Sequence, residues 1–154
     1  MNVEQKLQEL GLQLPEMAKP IAAYVPAIRV ADTVYTSGQI PLVKGEVKFK
    51  GKLGREFAIQ DGYEAAKICA LNCLAATKSV INDLDRIEKV IKVVGFVNSD
   101  VGFTDQPKVI NGASDLLGKV FGPNGAHARS AVGVAELPLG VAVEIEMIFQ
   151  IKPE

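Results

Sequence analysis

The run Ala126-His127-Ala128-Arg129-Ser130-Ala131-Val132-Gly133-Val134 sets a guanidinium and the chain's single histidine at the mouth of an apolar, strand-like segment. An arginine in such a place needs a partner or a purpose, because a charge taken out of water is costly when nothing answers it. Arg129 shares its side-chain parity with Ala131, Gly133 and Ala135, small residues that leave room around the guanidinium. A second polar feature lies on the last apolar run, where Glu144 and Glu146 alternate with Val143, Ile145 and Met147 and so put both carboxylates on one side of a strand. A third is Thr36-Ser37-Gly38-Gln39, a hydroxyl and a glycine at a strand end, where backbone groups can be offered to a small ligand. Arginine, carboxylate, hydroxyls and backbone groups together suit the binding of a small carboxylate and the movement of protons through water. Each piece also has a structural explanation: Arg129 with Glu144 as a salt bridge, Ser37-Gly38 as a turn, the two glutamates as a solvated edge.

What is missing narrows the chemistry. The sequence has no P-loop, no GxGxxG, no HExxH, no Ser-His-Asp arrangement and no cysteine beside a histidine. Cys69 and Cys73 stand about one helical turn apart with no second pair, so they read as small buried side chains, and no metal site is expected. His127 reads as a strand-entry residue that packs or hydrogen-bonds locally. With 17 basic against 18 acidic residues there is no global positive field to draw in a phosphate backbone, so nucleic acid is not an expected partner. No stretch approaches the roughly 18 apolar residues of a membrane span, and MNVEQKLQEL lacks the basic-then-apolar pattern of a leader, so a cytoplasmic protein is expected.

The elements that must carry these groups follow from periodicity. One domain is expected over 1–154, opening with a helical extension over 1–15, an appendage in which VEQKLQEL is amphipathic and Gly11 and Pro15 break the helix. Residues 27–40 read as a hairpin turning at Ala31-Asp32, and 44–54 as a glycine-rich loop with one short edge strand. An alanine-rich helix is predicted over 59–82, a strand over 87–98, and a second amphipathic helix from a cap at Thr104 or Asp105 to Gly122. Strands over 128–137 and 141–151 close the chain, joined by the short turn Pro138-Leu139-Gly140, which would set Arg129 and Glu144 on neighbouring strands. The sum is an α+β domain whose two helices cover one sheet face, leaving the other face for oligomerisation.

Three segments, TSGQIP at 36–41, ARSAVGVAELP at 128–138 and VAVEIEMI at 141–148, closely resemble in order and spacing the signature segments of the RidA/YjgF family of imine deaminases, also known as L-PSP endoribonuclease-like proteins. The resemblance implies a chorismate-mutase-like subunit with a mixed sheet, a homotrimer, and ligand clefts between subunits. It implies hydrolysis of enamine or imine intermediates such as 2-aminoacrylate to 2-keto acids and ammonia, with no metal or organic cofactor. By the same resemblance Arg129 grips the substrate carboxylate and Glu144 orients or activates the attacking water. Ser37 and Gly38 supply a hydroxyl and backbone, Tyr24 closes the cleft, and Asn111 on the second helix completes the substrate-binding set. Two other readings accompany it: a trimer that binds a small carboxylate or keto acid without turnover, and a single-strand endoribonuclease or translation inhibitor. The chain departs from many members by carrying Ala131 where they have cysteine, and by its N-terminal helix and a longer loop at 103–107, which mark a longer subgroup.

Overall fold

The computed structural model describes residues 2–17 and 22–154. The first helix, α1 (Val3–Glu9), begins where the Asn2 side chain accepts from the Gln5 N–H at 2.8 Å. Its apolar side, Val3 and Leu7, is almost wholly buried against the third helix and the 3₁₀ turn Leu84–Arg86, and the Val3 N–H donates to the Asp85 carboxylate at 2.6 Å. The expected appendage is therefore part of the core, because two apolar residues one turn apart suffice to seat a short helix on a preformed surface.

β1 (Ala27–Val30) and β2 (Thr33–Thr36) form the expected hairpin, turned by Ala31 and Asp32 with Ala31 at φ 51°. The polar stretch that follows holds two short strands where one was expected, β3 (Leu42–Val43) and β4 (Glu46–Val47), paired across Lys44-Gly45. Both turn residues have positive φ, which matches a tight two-residue hairpin. α2 (Ile59–Ile81) starts where the Asp61 carboxylate accepts from the Ala58 N–H, and it buries the alanines and both cysteines. β5 (Ile87–Asn98) occupies the predicted residues. α3 (Gln106–Phe121) has Asp105 at its N-cap position, without a side-chain capping hydrogen bond, and Pro107 in its first turn, and its Val109, Ala113, Leu116, Leu117 and Val120 are buried as its period requires. Helices α2 and α3 meet closely at Gly112, where an added Cβ would stand 2.0 Å from the Tyr63 carbonyl oxygen.

β6 (Ala128–Val134) and β7 (Val143–Ile151) complete a five-stranded mixed sheet in the order β1-β2-β7-β5-β6. β6 runs parallel to β5 through the α3 crossover, and every other pairing is antiparallel. Both long helices lie on one face, α2 over β1, β2 and β7, and α3 over β5 and β6. Val143, Ile145, Met147, Phe149 and Ile151 of β7 all point into that layer.

The C-terminal pairing corrects the sequence reading. β6 and β7 are not neighbours, because β5 lies between them. The turn at Pro138–Gly140 belongs to a connection that crosses the end of β5 and is stitched to it. Buried Asn98 donates its side-chain amide to the Val141 carbonyl at 3.0 Å and its backbone N–H to the Ala142 carbonyl at 2.9 Å. β5 has apolar or β-branched residues in both of its side-chain rows, so a central place buries more of it than an edge would. β6 carries small residues and takes the edge.

The sheet's second face carries Ile28, Val30, Tyr35, Val94, Phe96, Val132 and Ile148, of which Ile28, Val30, Tyr35 and Val132 are 43–57% exposed. Among the described residues no element of this chain covers it.

Candidate functional site

Arg129 leaves the edge strand β6 on the helix-covered side, in register with buried Val93. Its Nη1 donates to Asn111 Oδ1 at 2.8 Å and to Ser114 Oγ at 3.2 Å. Asn111 and Ser114 stand three apart on α3 and so share a face of that helix. Among the described residues no carboxylate forms an ion pair with Arg129, and its Nε and Nη2 have no hydrogen-bond partner. The guanidinium is thus anchored through one nitrogen by neutral acceptors, with the other side of its planar fork open to a carboxylate. The proposed salt bridge of Arg129 with Glu144 is absent.

The Glu144 group lies elsewhere. Glu144 and Glu146 project from β7 onto the uncovered face, in rows with Phe96 and Val94 respectively. Glu144 is half-buried, and burial together with the neighbouring Glu146 carboxylate raises its pKa above the usual carboxylate value. Neither glutamate has an ion-pair partner among the described residues. Gly38 presses on Glu144: an added Cβ would stand 2.9 Å from its Cδ and Oε2. The Gln39–Ile145 bridge, two backbone hydrogen bonds of 2.7 and 3.0 Å, holds the two segments in that contact. Ser37 Oγ donates to the Val25 carbonyl at 2.6 Å and its N–H to the Pro26 carbonyl at 2.8 Å, which ties the segment carrying Tyr24 to the same end of the sheet. Tyr24 is 65% exposed. A desolvated carboxyl with no cation beside it is suited to taking and returning a proton.

The six predicted residues therefore form two groups in one chain: Arg129 with Asn111, and Glu144 with Gly38, Ser37 and the Tyr24 segment. Register puts Arg129 beside Val93 and Glu144 beside Phe96, so the two lie about 10 Å apart along the strands and about 10 Å across the intervening β5. Their side chains leave opposite faces of the sheet. A cavity of about 780 Å³ between residues 13–17 and the β3–β4 hairpin is lined by none of the six.

Sequence reasoning missed Ser114. Its signal was available only as spacing, a hydroxyl three residues after Asn111. His127 is held by two hydrogen bonds, one between Nε2 and Ser114 Oγ at 2.9 Å and one between Nδ1 and the Gly125 carbonyl at 2.6 Å. The cysteines behave as read. Both are fully buried, and the Cys73 thiol, pushed up to about 12 by burial, sits 3.4 Å from the Ile145 carbonyl oxygen as donor. Among the described residues no three histidine, cysteine, aspartate or glutamate side chains gather around a point that would hold a metal ion, and no helix is long and apolar enough to cross a membrane.

Residues 4–150 match the protein family described as "YjgF/chorismate_mutase-like, putative endoribonuclease". Protein TCP17 of Trypanosoma cruzi is 42% identical over 97% of this chain and 94% of its own length. A 2-iminobutanoate/2-iminopropanoate deaminase of Dermatophagoides farinae is 32% identical over 92% of this chain and 95% of its own. The crystal structure of protein Atu1372 from Agrobacterium tumefaciens, of unknown function, superposes with a TM-score of 0.92 at 43% identity, covering 97% of this chain and 92% of that one.

Proposed function

The chain belongs to the YjgF/chorismate-mutase-like family, and on that premise we propose that it hydrolyses small 2-imino or 2-enamino carboxylates to 2-keto acids and ammonia in a cleft between copies of itself. The observation that carries this reading is the open fork of Arg129, a cation with no carboxylate partner among the described residues. Its natural complement is a substrate carboxylate. Glu144 supplies the other half. Because it faces away from Arg129 across the sheet, one substrate meets both only when Arg129 and Asn111 come from one protomer and Glu144, Ser37, Gly38 and Tyr24 from another. The uncovered apolar face supports such an assembly, and a homotrimer with three equivalent clefts is the arrangement we propose.

The chemistry is redox-neutral. An enamine first gains a proton at carbon and loses one from nitrogen to solvent, which gives the imine. Glu144 accepts a proton from a water as the water oxygen bonds to the imine carbon, and the C=N π electrons move to nitrogen, which takes a proton from solvent. Glu144 then returns its proton to the amino nitrogen of the carbinolamine, and the C–N bond breaks to release ammonia as the hydroxyl proton passes to solvent and the carbonyl forms. Arg129 holds the carboxylate throughout, fixing the carbon before the water.

The test couples the purified protein to a dehydratase that releases 2-aminoacrylate from serine and follows pyruvate formation. The protein is expected to speed that formation, and Arg129→Ala to lower kcat/KM about 100-fold, the worth of a lost charge-assisted pair. Equal rates for wild type and Arg129→Ala would sink the reading. Keto-acid binding that depends on Arg129 but comes without turnover would replace it with a binding function.

A further inference from the structure

With a neutral imidazole the Arg129–Ser114–His127 contacts have a single consistent direction. The Gly125 carbonyl can only accept, so His127 Nδ1, 2.6 Å away, carries a proton. In the neutral ring Nε2 is then the acceptor, and the Ser114 hydroxyl, 2.9 Å away, donates to it. With its proton committed to the imidazole, the Ser114 oxygen presents lone pairs to Arg129 Nη1 at 3.2 Å. Guanidinium to hydroxyl, hydroxyl to imidazole and imidazole to carbonyl thus form one chain in which each bond polarises the next. Asn111 Oδ1 holds the same Nη1 from the neighbouring turn of α3.

We propose that His127 is a positioning residue for substrate binding: acting through Ser114, it fixes the plane of the Arg129 guanidinium so that Nε and Nη2 present a ready fork to the substrate carboxylate. The inference rests on the reading of Arg129 as the carboxylate clamp. An arginine side chain left to rotate loses entropy when it closes on a ligand, and anchoring Nη1 beforehand removes part of that cost. The rigid frame is backbone: Gly125 ends the 3₁₀ turn Gly122–Gly125 after α3, and β6 begins three residues later.

The chain has one histidine, so an untagged protein gives one set of imidazole ¹⁵N signals. Those signals should report the neutral Nδ1–H tautomer and shift when 2-oxobutanoate is titrated in. Calorimetric binding of 2-oxobutanoate completes the test. His127→Phe keeps the ring shape without the hydrogen bonds, and together with Ser114→Ala it is expected to weaken binding about fivefold to tenfold, the net worth of one hydrogen bond. In the coupled assay KM should rise by the same factor with kcat unchanged. His127→Gln, which restores an acceptor near the Nε2 position, should recover most of the loss, and the Ser114→Ala/His127→Phe pair should be no worse than Ser114→Ala alone. The inference is overturned if the Nε2–H tautomer is found, or if His127→Phe and Ser114→Ala bind as wild type while Arg129→Ala does not. That second result leaves the clamp reading standing. Wild-type binding by Arg129→Ala removes the clamp and the inference together.

Discussion

Gly38 and Glu144 touch so closely that a methyl group on Gly38 would meet the Glu144 carboxylate at 2.9 Å. The clash is with the mobile end of a side chain, so the strand can survive it while the carboxylate cannot keep its place. Gly38→Ala is therefore expected to fold and to melt close to wild type. It should lose about 100-fold in kcat for imine hydrolysis, within the range that general acid–base groups supply. A folded variant with full kcat would separate Glu144 from the chemistry.

The raised pKa of Glu144 sets a direction for pH dependence. Burial is the larger cause and the Glu146 carboxylate the second. As the proposed base Glu144 would act when ionised, so the rate should fall as pH drops through its folded-state pKa. Glu146→Gln removes the like charge and should move that acidic limb to lower pH, readable in the kcat profile of the coupled assay. The stability effect has the opposite sense. The folded state holds this proton more tightly than the unfolded chain, so the group's contribution is fully present below its unfolded pKa and is lost as pH rises through the folded value. Glu144→Gln should abolish that component in urea unfolding followed across acidic pH.

Two halves on opposite faces of one sheet allow a complementation test. In the proposed homo-oligomer Arg129→Ala and Glu144→Gln are each expected to disable every cleft. Unfolded together and refolded in equal amounts, the two chains should regain about a quarter of wild-type activity. That is the share of clefts receiving an intact Arg129 from one chain and an intact Glu144 from the other. Mixtures no more active than the separate variants would place both groups in one protomer's site or in none.

Gly112 has no side-chain end to yield. A Cβ there would stand 2.0 Å from the Tyr63 backbone oxygen, so Gly112→Ala must push α3 away from α2. About 3 kcal/mol of stability should be lost, the upper part of the overpacking range, measurable as a lower urea midpoint. Because α3 carries Asn111 and Ser114, keto-acid binding should weaken even where the variant stays folded.

Much of this was legible in the sequence. The 3.6-residue period of α3 and the β-branched run of β5 are local signals, and both elements appear where those signals put them. Arg129 was conspicuous because charge amid apolar residues is costly, and Glu144 because alternation gave it a side. Strand order was not legible, since pairing depends on which surfaces bury best against each other, and nothing local in residues 135–142 says that they cross β5 instead of turning back beside β6. The length of α1 suggested an appendage, whereas burial of Val3 and Leu7 depends on a surface built by residues far along the chain. The amino-acid sequence by itself determined the helices, the strands of the five-stranded sheet and the chemical identity of the polar groups, because those follow from side-chain type and period. Only the tertiary structure decided that Arg129 and Glu144 stand on opposite faces with β5 between them, and that Ser114 links Arg129 to His127. Those are distances between segments that share no local code.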